Sequence, residues 1–495
     1  MAPPLSAARP VRLVNYLAYG ANDALGAGSM AIVSGWLLLF YTRFCGLSAG
    51  QAALIFAAAR VIDAVLSPLI GHLSDHMGAH GLGRRFGRRR VFILAAIPLL
   101  PSFALMWLPG QGFWYYLVSY VAFEMVYALE IIPYETLAAE MAEDFVTKAR
   151  MAGSRIIFGQ LSAILAGFAP MWLIGWLGRD NAATFFWMAA VFTGLFMVVA
   201  GLLYAFSWER ARGAAPMPPG RSAGQVLAGM VADLRATLQV RAFRLHLGMY
   251  LGGYISQDIF NATFTFFVLF ALGGSTAAAS GLLGSMYIVQ LFAVGLAMQL
   301  VLRMGPAPAY RWAALAFAAG VVVLLGGWQA HWRVGAEGLW LAIGLAGLGR
   351  GMLNYIPWAT YNYMADVDEI ITGQRREGSF AGVMTFVRKA TQALAVALVG
   401  MGLEAGGIRP AAAAQGPAAM AVLAAVLGAG TLAMLAGGVA VSRRFRLNGA
   451  THGVLMHEIR HLRGGATGPS SAAAQAVVED LTGCAYARLW GRAPR

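Results

Sequence analysis

Charged side chains inside the apolar segments are the groups of this sequence that could do chemistry. In chain order they are Asp23, Arg60, Asp63, Glu124, Glu130, Glu135, Arg155, Asp258, Arg350, Arg388 and Lys389. A charge in the middle of a bilayer costs at least about 2.5–3.5 kcal/mol, so each must face protein or a water-filled cavity. We therefore treat these residues as candidates for binding an ion or a polar solute.

Arg60, Asp63 and Ser67 follow one another at intervals of three and four residues, which places them on one face of a helix. One carboxylate and one hydroxyl are few oxygens for a sodium ion. A single carboxylate beside an arginine could instead bind and release a proton. The alternative is a pair of opposite charges within one helix that only neutralises itself, and both interpretations stay open.

Asp23 lies after Gly20 and before Gly26 and Gly28, and such small residues let a backbone approach a neighbour or a ligand closely. A carboxylate there could accept paired hydrogen bonds from sugar hydroxyls. Aromatic side chains in the apolar segments could stack on a sugar ring; they are Tyr16, Tyr19, Tyr127, Tyr134, Tyr254, Tyr355 and Trp358. Aromatic residues are also common in transmembrane segments for structural reasons, which is the alternative for each of them.

The elements that must position these residues are transmembrane helices. The chain has 495 residues, of which 59% are hydrophobic and only 12% charged, and a soluble protein carries roughly twice that charged fraction. Apolar runs of about 20 residues, enough to cross a bilayer, recur along the chain. They predict an all-α polytopic membrane protein with about twelve spans. The predicted spans are 13–43, 48–73, 91–109, 113–141, 150–176, 182–206, 243–272, 277–302, 310–328, 337–363, 379–403 and 418–441.

The net charge of +14 does not indicate a nucleic-acid-binding protein, because the basic residues do not form one patch. They occur in every second loop and in the tail, a pattern that predicts a multi-pass inner-membrane protein with both termini in the cytoplasm. This topology places Cys45 and Cys484 on opposite sides of the membrane, which excludes a disulfide between them. Two cysteines are also too few for a cysteine metal cluster.

Two short motifs recur in corresponding spans. A tyrosine followed four residues later by an aspartate occurs as Tyr19–Asp23 and as Tyr254–Asp258, and an Ile-Pro-aromatic motif occurs as Ile132–Tyr134 and as Ile356–Trp358. Such repeats predict a duplicated helical bundle with a cavity between its halves. The predicted parts are an N-terminal six-helix half (1–207), a cytoplasmic linker (208–242) with an irregular opening at 213–220, a C-terminal six-helix half (243–441) and a cytoplasmic tail (442–495).

Three stretches resemble the signatures of the glycoside–pentoside–hexuronide/cation symporters, a branch of the major facilitator superfamily. The first comprises Phe40–Thr42, Gly46–Ser48, Arg60–Ala64, Pro68, Gly71, Ser74–Asp75 and Gly87–Arg90. The second comprises Ile132–Tyr134, Leu137, Glu140–Met141 and Arg155, and the third Ala365–Glu369, Thr372–Gly373, Arg375–Gly378 and Lys389. The resemblance implies the major facilitator fold and a secondary active transporter, not an enzyme. It would carry a glycoside or related small solute together with a proton or sodium ion by alternating access, without a cofactor.

The resemblance also implies roles for single residues. Asp23 resembles the family's sugar-binding aspartate, Asp63 the first acid of its cation site, Arg155 its helix-five arginine and Lys389 its helix-eleven lysine. The loop with Asp75, Arg88 and Arg89 resembles one that pairs across helix ends and holds the outward-facing state; anchoring by the arginines alone is an equal alternative.

The chain departs from the family pattern at three positions. Ser67 stands where sodium-coupled members have a second acid, and Ile131 replaces the helix-four acid, with Glu130 one residue earlier. Glu135 stands where a sugar-stacking tryptophan is found. We therefore expect the solute to contact Asp23, Tyr19, Arg155, Glu135, Asp258, Trp358 and Lys389, and the coupling cation to contact Asp63, Ser67 and Glu130.

Two other functions are open. A transporter of the same fold could carry a lysolipid or another amphipathic substrate. The segment His457–His461 matches the HExxH zinc-enzyme pattern, with Glu479 as a third ligand. A tail of about fifty residues is short for a catalytic domain, so we expect no metal there and an amphipathic helix with Leu455, Ile459 and Leu462 on one face. The expected partners are a small solute, a coupling cation and the bilayer, and we expect a monomer.

Overall fold

The computed structural model describes residues 10–491, except 80, 143–144, 179, 210–222, 362, 374–376, 410–411 and 413. Side chains at a few further positions, among them Asp75, are outside the description. Across the described residues the chain is largely helical and forms no β-strand.

The α-helices of the first half of the chain are α1 (Leu13–Ala21), α2 (Ser29–Ile32), α3 (Ala49–His76), α4 (Gly81–Phe86), α5 (Arg90–Ala96), α6 (Ser102–Leu105), α7 (Phe113–Met141), α8 (Phe145–Leu177), α9 (Ala182–Phe206) and α10 (Ala223–Gln239). The remaining helices are α11 (Arg241–Phe266), α12 (Thr276–Met304), α13 (Pro306–Gln329), α14 (Glu337–Tyr361), α15 (Met364–Thr372), α16 (Glu377–Ala405), α17 (Pro417–Ala425), α18 (Thr431–Ser442), α19 (Gly449–Arg463) and α20 (Ala472–Thr482).

Nine helical segments within the described ranges are long and apolar enough to cross a membrane. They are Ala49–Gly71, Phe113–Ala138, Arg150–Leu177, Ala182–Phe206, Thr276–Met304, Pro306–Gln329, Glu337–Thr372, Gly382–Ala405 and Pro417–Ser442. Each overlaps one of the twelve predicted spans, and Glu337–Thr372 also takes in α15, beyond the predicted end at 363. The first, third and seventh predicted spans are also helical but more irregular or more polar.

The first predicted span is helical but repeatedly widened. Between and after α1 and α2 it forms π-helical turns at Ala24–Gly28, Val33–Leu37 and Phe40–Phe44. Hydroxyl groups compete for the helix carbonyls here: Ser29 Oγ donates to Leu25 O at 2.5 Å and Ser34 Oγ to Met30 O at 2.6 Å. Such bonds bend helices, and π-helical turns are frequent at functional sites.

The third predicted span, 91–109, is interrupted for a different reason. Helix α5 gives way to a 3₁₀ turn at Ile97–Leu99 before α6. Pro98 and Pro101 lie at this break, and proline has no backbone N–H for the helical ladder. The seventh span, α11, is a continuous helix of 26 residues but includes the buried polar residues Gln257 and Asp258.

The chain divides into two compact units, Met1–Val226 with Thr276–Gly284, and Leu227–Ser275 with Ser285–Arg495. The start of α12 belongs to the first unit because Ser280 Oγ donates to Gly167 O at 2.6 Å and accepts from Met171 N at 3.0 Å. The predicted linker, 208–242, contains the helix α10; its predicted irregular opening, 213–220, lies outside the described residues.

Helix pairing follows the same scheme within each unit. In the first unit α1 packs on α8 and α9, which are the first, fifth and sixth predicted spans. In the second unit α11 packs on α16 and α18, which belong to the seventh, eleventh and twelfth. The first helix of each bundle therefore lies against its last two, and this arrangement places the charged residues described below.

Candidate functional site

Arg155 on α8 holds two carboxylates of the first unit. Its Nε donates to Asp23 Oδ1 and its terminal nitrogen donates to Glu135 Oε1, both at 2.9 Å. The Arg155 side chain is 31% exposed and that of Glu135 is 50% exposed. The structure thus brings three predicted solute-binding residues together where water can reach two of them.

Close approach of α8 fixes the position of Asp23. A Cβ at Gly159 would lie 2.3 Å from Asp23 Oδ2, and one at Gly20 would lie 2.1 Å from Ser154 Oγ. Asp23 also immediately precedes the first π-helical turn. Glycines on both helices therefore allow the carboxylate to lie against the backbone of α8.

Tyr19 packs against Tyr134 beside this cluster, so its ring is not exposed to a solute. Its ring centroid lies 4.7 Å from that of Tyr134, and Tyr134 donates a hydrogen bond from its hydroxyl to Tyr19 O at 2.9 Å. The guanidinium carbon of Arg155 lies 5.2 Å from the centroid of the Tyr134 ring, in cation–π contact. Since Tyr19 is only 3% exposed, its ring is not available for stacking on a solute in this conformation.

Glu130 lies fully buried on α7 next to this cluster. Asn22 Nδ2 donates to Glu130 Oε1 at 2.6 Å, and Glu130 Oε2 has no hydrogen-bond partner among the described residues. Asn22 is adjacent to Asp23 in the chain, so the predicted cation-coupling and solute-binding residues meet here. A carboxyl with one unsatisfied oxygen is a suitable group to exchange a proton.

A second buried cluster joins α3 to α7. Arg60 lies 3.8 Å from Asp63 Oδ2 and 3.2 Å from Glu124 Oε1, and the side chains of all three are at most 4% exposed. Ser67 Oγ donates to Asp63 Oδ1 at 3.1 Å, and a terminal nitrogen of Arg60 donates to the Tyr120 hydroxyl at 3.4 Å. Carboxylates from two helices and a hydroxyl therefore form a group rich in oxygen ligands.

Glu124 was not among the predicted cation-coupling residues. It is an intramembrane charge without a motif match, and it lies 61 residues beyond Asp63 in the sequence. Only the packing of α3 on α7 brings it to Arg60. With Glu124 the cluster that contains the predicted cation-coupling residues Asp63 and Ser67 has two acids.

In the second unit Asp258 on α11 is held by Arg388 on α16. The two terminal nitrogens of Arg388 donate to Asp258 Oδ2 at 2.7 Å and Oδ1 at 2.8 Å, a bidentate ion pair. Gln392 Nε2 adds a hydrogen bond to Oδ1 at 3.3 Å, and the Arg388 guanidinium lies 4.9 Å from the centroid of Tyr254. This pair repeats the Asp23–Arg155 pair of the first unit.

Arg388 was not predicted as a site residue, although the sequence contains a signal for it. Asp23 and Arg155 are 132 residues apart, and Asp258 and Arg388 are 130 residues apart. The predicted residue Lys389 is the next residue on α16, about 100° further round the helix, and it is half-buried.

Trp358 presents an indole ring that could stack on a sugar. Its Nε1 donates to the Tyr254 hydroxyl at 3.0 Å, and its ring meets that of Tyr250 edge to face at 5.9 Å. The polar edge of the indole is thus satisfied within the protein. The residue is nevertheless 42% exposed, so part of its ring is open to a ligand.

Arg88 and Arg89, predicted for the conformational-switch loop, both form ion pairs with Glu140 at the end of α7. Their backbone N–H groups donate to Glu209, which thereby caps the start of α5, at 2.9 and 2.8 Å. Asp75 lies in the last turn of α3, and its side chain is outside the described part of the chain.

The HExxH segment of the tail serves the packing of the tail. Glu458 is fully buried; it accepts hydrogen bonds from Ser470 and, at 2.6 Å, from the Tyr486 hydroxyl. His457 points outward, with a side chain that is 62% exposed. Within the described ranges no group of three or more His, Cys, Asp or Glu side chains could hold a metal.

The sequence is similar to those of known transport proteins. Residues 18–449 match the family described as MFS/sugar transport protein. An uncharacterised symporter of Synechocystis sp. is 24% identical, over 81% of this chain and 87% of that protein. A glucuronide carrier protein homologue of Escherichia coli is 23% identical, over 76% and 80%. An isoprimeverose transporter of Lactiplantibacillus pentosus is 25% identical, over 39% and 41%.

Solved structures show the same fold. A bacterial homologue of the human lysosomal transporter Spinster, in an inward-facing conformation, superposes with a TM-score of 0.62 at 16% identity, covering 88% of this chain and 98% of that one. A D-xylose–proton symporter gives a TM-score of 0.55 at 16% identity, covering 85% and 96%. The fold is therefore that of the major facilitator superfamily, as predicted. The chain is a multi-pass membrane transporter, not an enzyme, and it belongs to the MFS/sugar transport protein family, in its glycoside–pentoside–hexuronide/cation symporter branch.

Proposed function

We propose that this protein is a cation-coupled symporter that carries a glycoside or a related small polar solute by alternating access. The observation that carries the proposal is the buried cluster on α3 and α7, in which Asp63 and Glu124 converge on Arg60. A cation bound by these carboxylates would compete with Arg60 for them. Cation binding would therefore weaken the ion pair between Arg60 on α3 and Glu124 on α7 and change the packing of the two helices. That link between cation binding and helix packing is what a coupled transporter requires.

The cluster around Arg155 is the proposed solute site of the first unit. Arg155 can donate hydrogen bonds to solute hydroxyls, and Glu135 and Asp23 can accept them. In the second unit, Trp358 offers an apolar ring face. Water-accessible polar groups and an aromatic ring suit a sugar better than the apolar chain of a lysolipid, whose transport would call for an apolar lining.

The coupling cation is a proton or a sodium ion. Sodium coupling is supported by the oxygens of Asp63, Ser67 and Glu124. Proton coupling is supported by Glu130, whose carboxyl has one unsatisfied oxygen beside Asn22 and Asp23. The protein is also proposed to lie in the inner membrane, because basic residues occur in every second loop between its predicted spans.

Proteoliposomes with an imposed ion gradient test the proposal. The purified protein is assayed with a panel of glycosides, uronides and lysolipids, under a sodium gradient and separately under a pH gradient. We expect one polar sugar derivative to accumulate under one of the two gradients and not without it. Accumulation of a lysolipid alone would assign the alternative substrate class, and failure of both gradients to drive any substrate would exclude symport.

A further inference from the structure

A cavity of about 320 Å³ lies at one end of the second unit, away from the clusters described above. It is formed where α12 ends, α13 begins and the chain passes from α18 to α19. Its lining includes Met304, Pro306, Arg311, Arg443, Phe445 and Arg446. The volume is at the lower end of the range for small-ligand pockets, about 300–1,000 Å³.

The cavity is positively charged. Arg311, Arg443 and Arg446 line it, and of these only Arg446 has an ion pair among the contacts of the described residues. That contact, to Asp480, is 4.0 Å long, and the Arg446 side chain is 74% exposed. The first turn of α13, a helix of 24 residues, also lines the cavity and adds the positive end of its dipole. The cavity is therefore suited to an anion.

Exposed apolar side chains flank the cavity-lining residues along α12 and α13. Leu302 is 74% exposed and Met304 39% exposed at the end of α12, and on α13 Trp312 is 56% and Leu315 57% exposed. An exposed tryptophan near a helix end is typical of the membrane interface. The arginines thus lie at the level where a lipid headgroup would be, and the apolar residues lie where its acyl chains would run.

We propose that this cavity binds the headgroup of an anionic glycerophospholipid, with the phosphodiester held by Arg311, Arg443 and Arg446 and the acyl chains lying along Leu302, Trp312 and Leu315. The proposal does not depend on the transported solute. A free phosphate would use the arginines but gain nothing from the apolar surface. A zwitterionic lipid would add a cationic group of its own among the three arginines.

Lipid titration of the full-length protein in detergent, read by native mass spectrometry, tests the proposal. The probes are dioleoylphosphatidylglycerol, dioleoylphosphatidylcholine and inorganic phosphate. We expect the wild-type protein to bind phosphatidylglycerol more tightly than phosphatidylcholine. Because an arginine near an anionic lipid surface contributes about 1 kcal/mol, or about fivefold in affinity, the double variant Arg311→Gln/Arg443→Gln should lose roughly 30-fold in affinity for phosphatidylglycerol.

Arg303→Gln is the matched control, because Arg303 is exposed on the last turn of α12 but is not part of the cavity lining. It should change the affinity less than twofold. The single variant Arg443→Gln, at an exposed position, gives a second test if the double variant is unstable, with a loss of about fivefold. Unchanged phosphatidylglycerol binding in the Arg443→Gln variant, or equal binding of the two lipids, would overturn the proposal. So would binding of inorganic phosphate at the concentrations at which phosphatidylglycerol binds.

Discussion

Asp63 and Glu124 lie on different helices, and both form ion pairs with the guanidinium of Arg60. The effect of neutralising one of these acids therefore depends on whether the other is still charged. If either acid is neutralised, Arg60 keeps the other, so the fold has no unpaired buried charge. What is lost is the second carboxylate for the coupling cation. If both are neutralised, Arg60 remains buried without either acid, which costs roughly 3–5 kcal/mol.

We therefore expect Asp63→Asn and Glu124→Gln each to abolish gradient-driven accumulation while solute exchange across the membrane continues. The measurement is uptake against counterflow in proteoliposomes, with thermal unfolding to show the additional loss in the double variant. Glu337→Gln, at an exposed acid in the first turn of α14, is the control. Full gradient-driven uptake by both single variants would remove the cluster from the coupling mechanism.

The sequence identified the candidate residues that helical spacing or a family signature marks. Asp63 and Ser67 follow from their spacing, and Asp23 and Arg155 follow from the signatures. Glu124 and Arg388 were not predicted as site residues, because their partners are distant in the chain and only tertiary packing brings them together. Tyr19 was predicted to contact solute, but burial against Tyr134 cannot be foreseen from its position in a span.

The elements of the tail form a small packed layer on the second unit. Leu455, Ile459 and Leu462 are buried on one face of α19, as the amphipathic pattern predicts. The tail also contacts α15: His452 lies 2.9 Å from Asp366, and Arg463 forms an ion pair with Glu369. The acidic signature at the end of the tenth span is thus covered by the chain's own C-terminal helices.

Glu458 makes this layer sensitive to pH. Burial raises the pKa of its carboxyl, but hydrogen bonds from Ser470 and Tyr486 outweigh burial and lower the pKa below its usual value. A carboxyl with a lowered pKa in the folded state stabilises the fold above its unfolded pKa, and this contribution is lost as the pH falls. The tail should therefore loosen below about pH 4.5, near the usual pKa of glutamate.

At neutral pH we expect Glu458→Gln to weaken the tail by about 1–3 kcal/mol, because the hydrogen bonds from Ser470 and Tyr486 lose their charged acceptor. Hydrogen exchange of the α19 and α20 amides measures this, with Arg460→Gln, at an exposed position of α19, as the control. The difference between the wild-type protein and Glu458→Gln should shrink as the pH falls below about 4.5. Equal exchange in the two proteins at pH 7 would show that Glu458 does not hold the tail.

The fold class of the whole molecule was easier to predict from the sequence than single contacts or helix interruptions. Length and apolar runs predicted a polytopic helical protein, which is confirmed. The sidedness predicted from the alternating basic loops and the two six-helix halves predicted from the repeated motifs stay predictions. The interruptions at Pro98 and Pro101 and the widened turns of the first span were not predicted. Hydropathy averages over about 20 residues and does not register where a hydroxyl or a proline disturbs the helical ladder.

The topology itself makes a prediction for the two cysteines, Cys45 and Cys484, both of which are half-buried. If both termini are cytoplasmic, an impermeant maleimide should label Cys484 only from the cytoplasmic side and Cys45 only from the opposite side. Right-side-out and inverted membrane vesicles carrying Cys45→Ser or Cys484→Ser provide the measurement, and labelling after solubilisation provides the control. Labelling of both thiols from the same side would contradict the predicted topology.

The π-helical turn at Ala24–Gly28 has a consequence for how this chain could change over evolution. A π-helical turn includes one residue more than an α-helical turn needs, so deletion of one residue there would leave a regular helix. Because the wide turn absorbs that extra residue, the two flanking parts of the span would keep their relative orientation, whereas deletion of one residue from an α-helical stretch turns them by about 100°. Loss of a single codon there could thus be tolerated, with Asp23 on the same face relative to the rest of the span and the segment still apolar enough to cross the membrane.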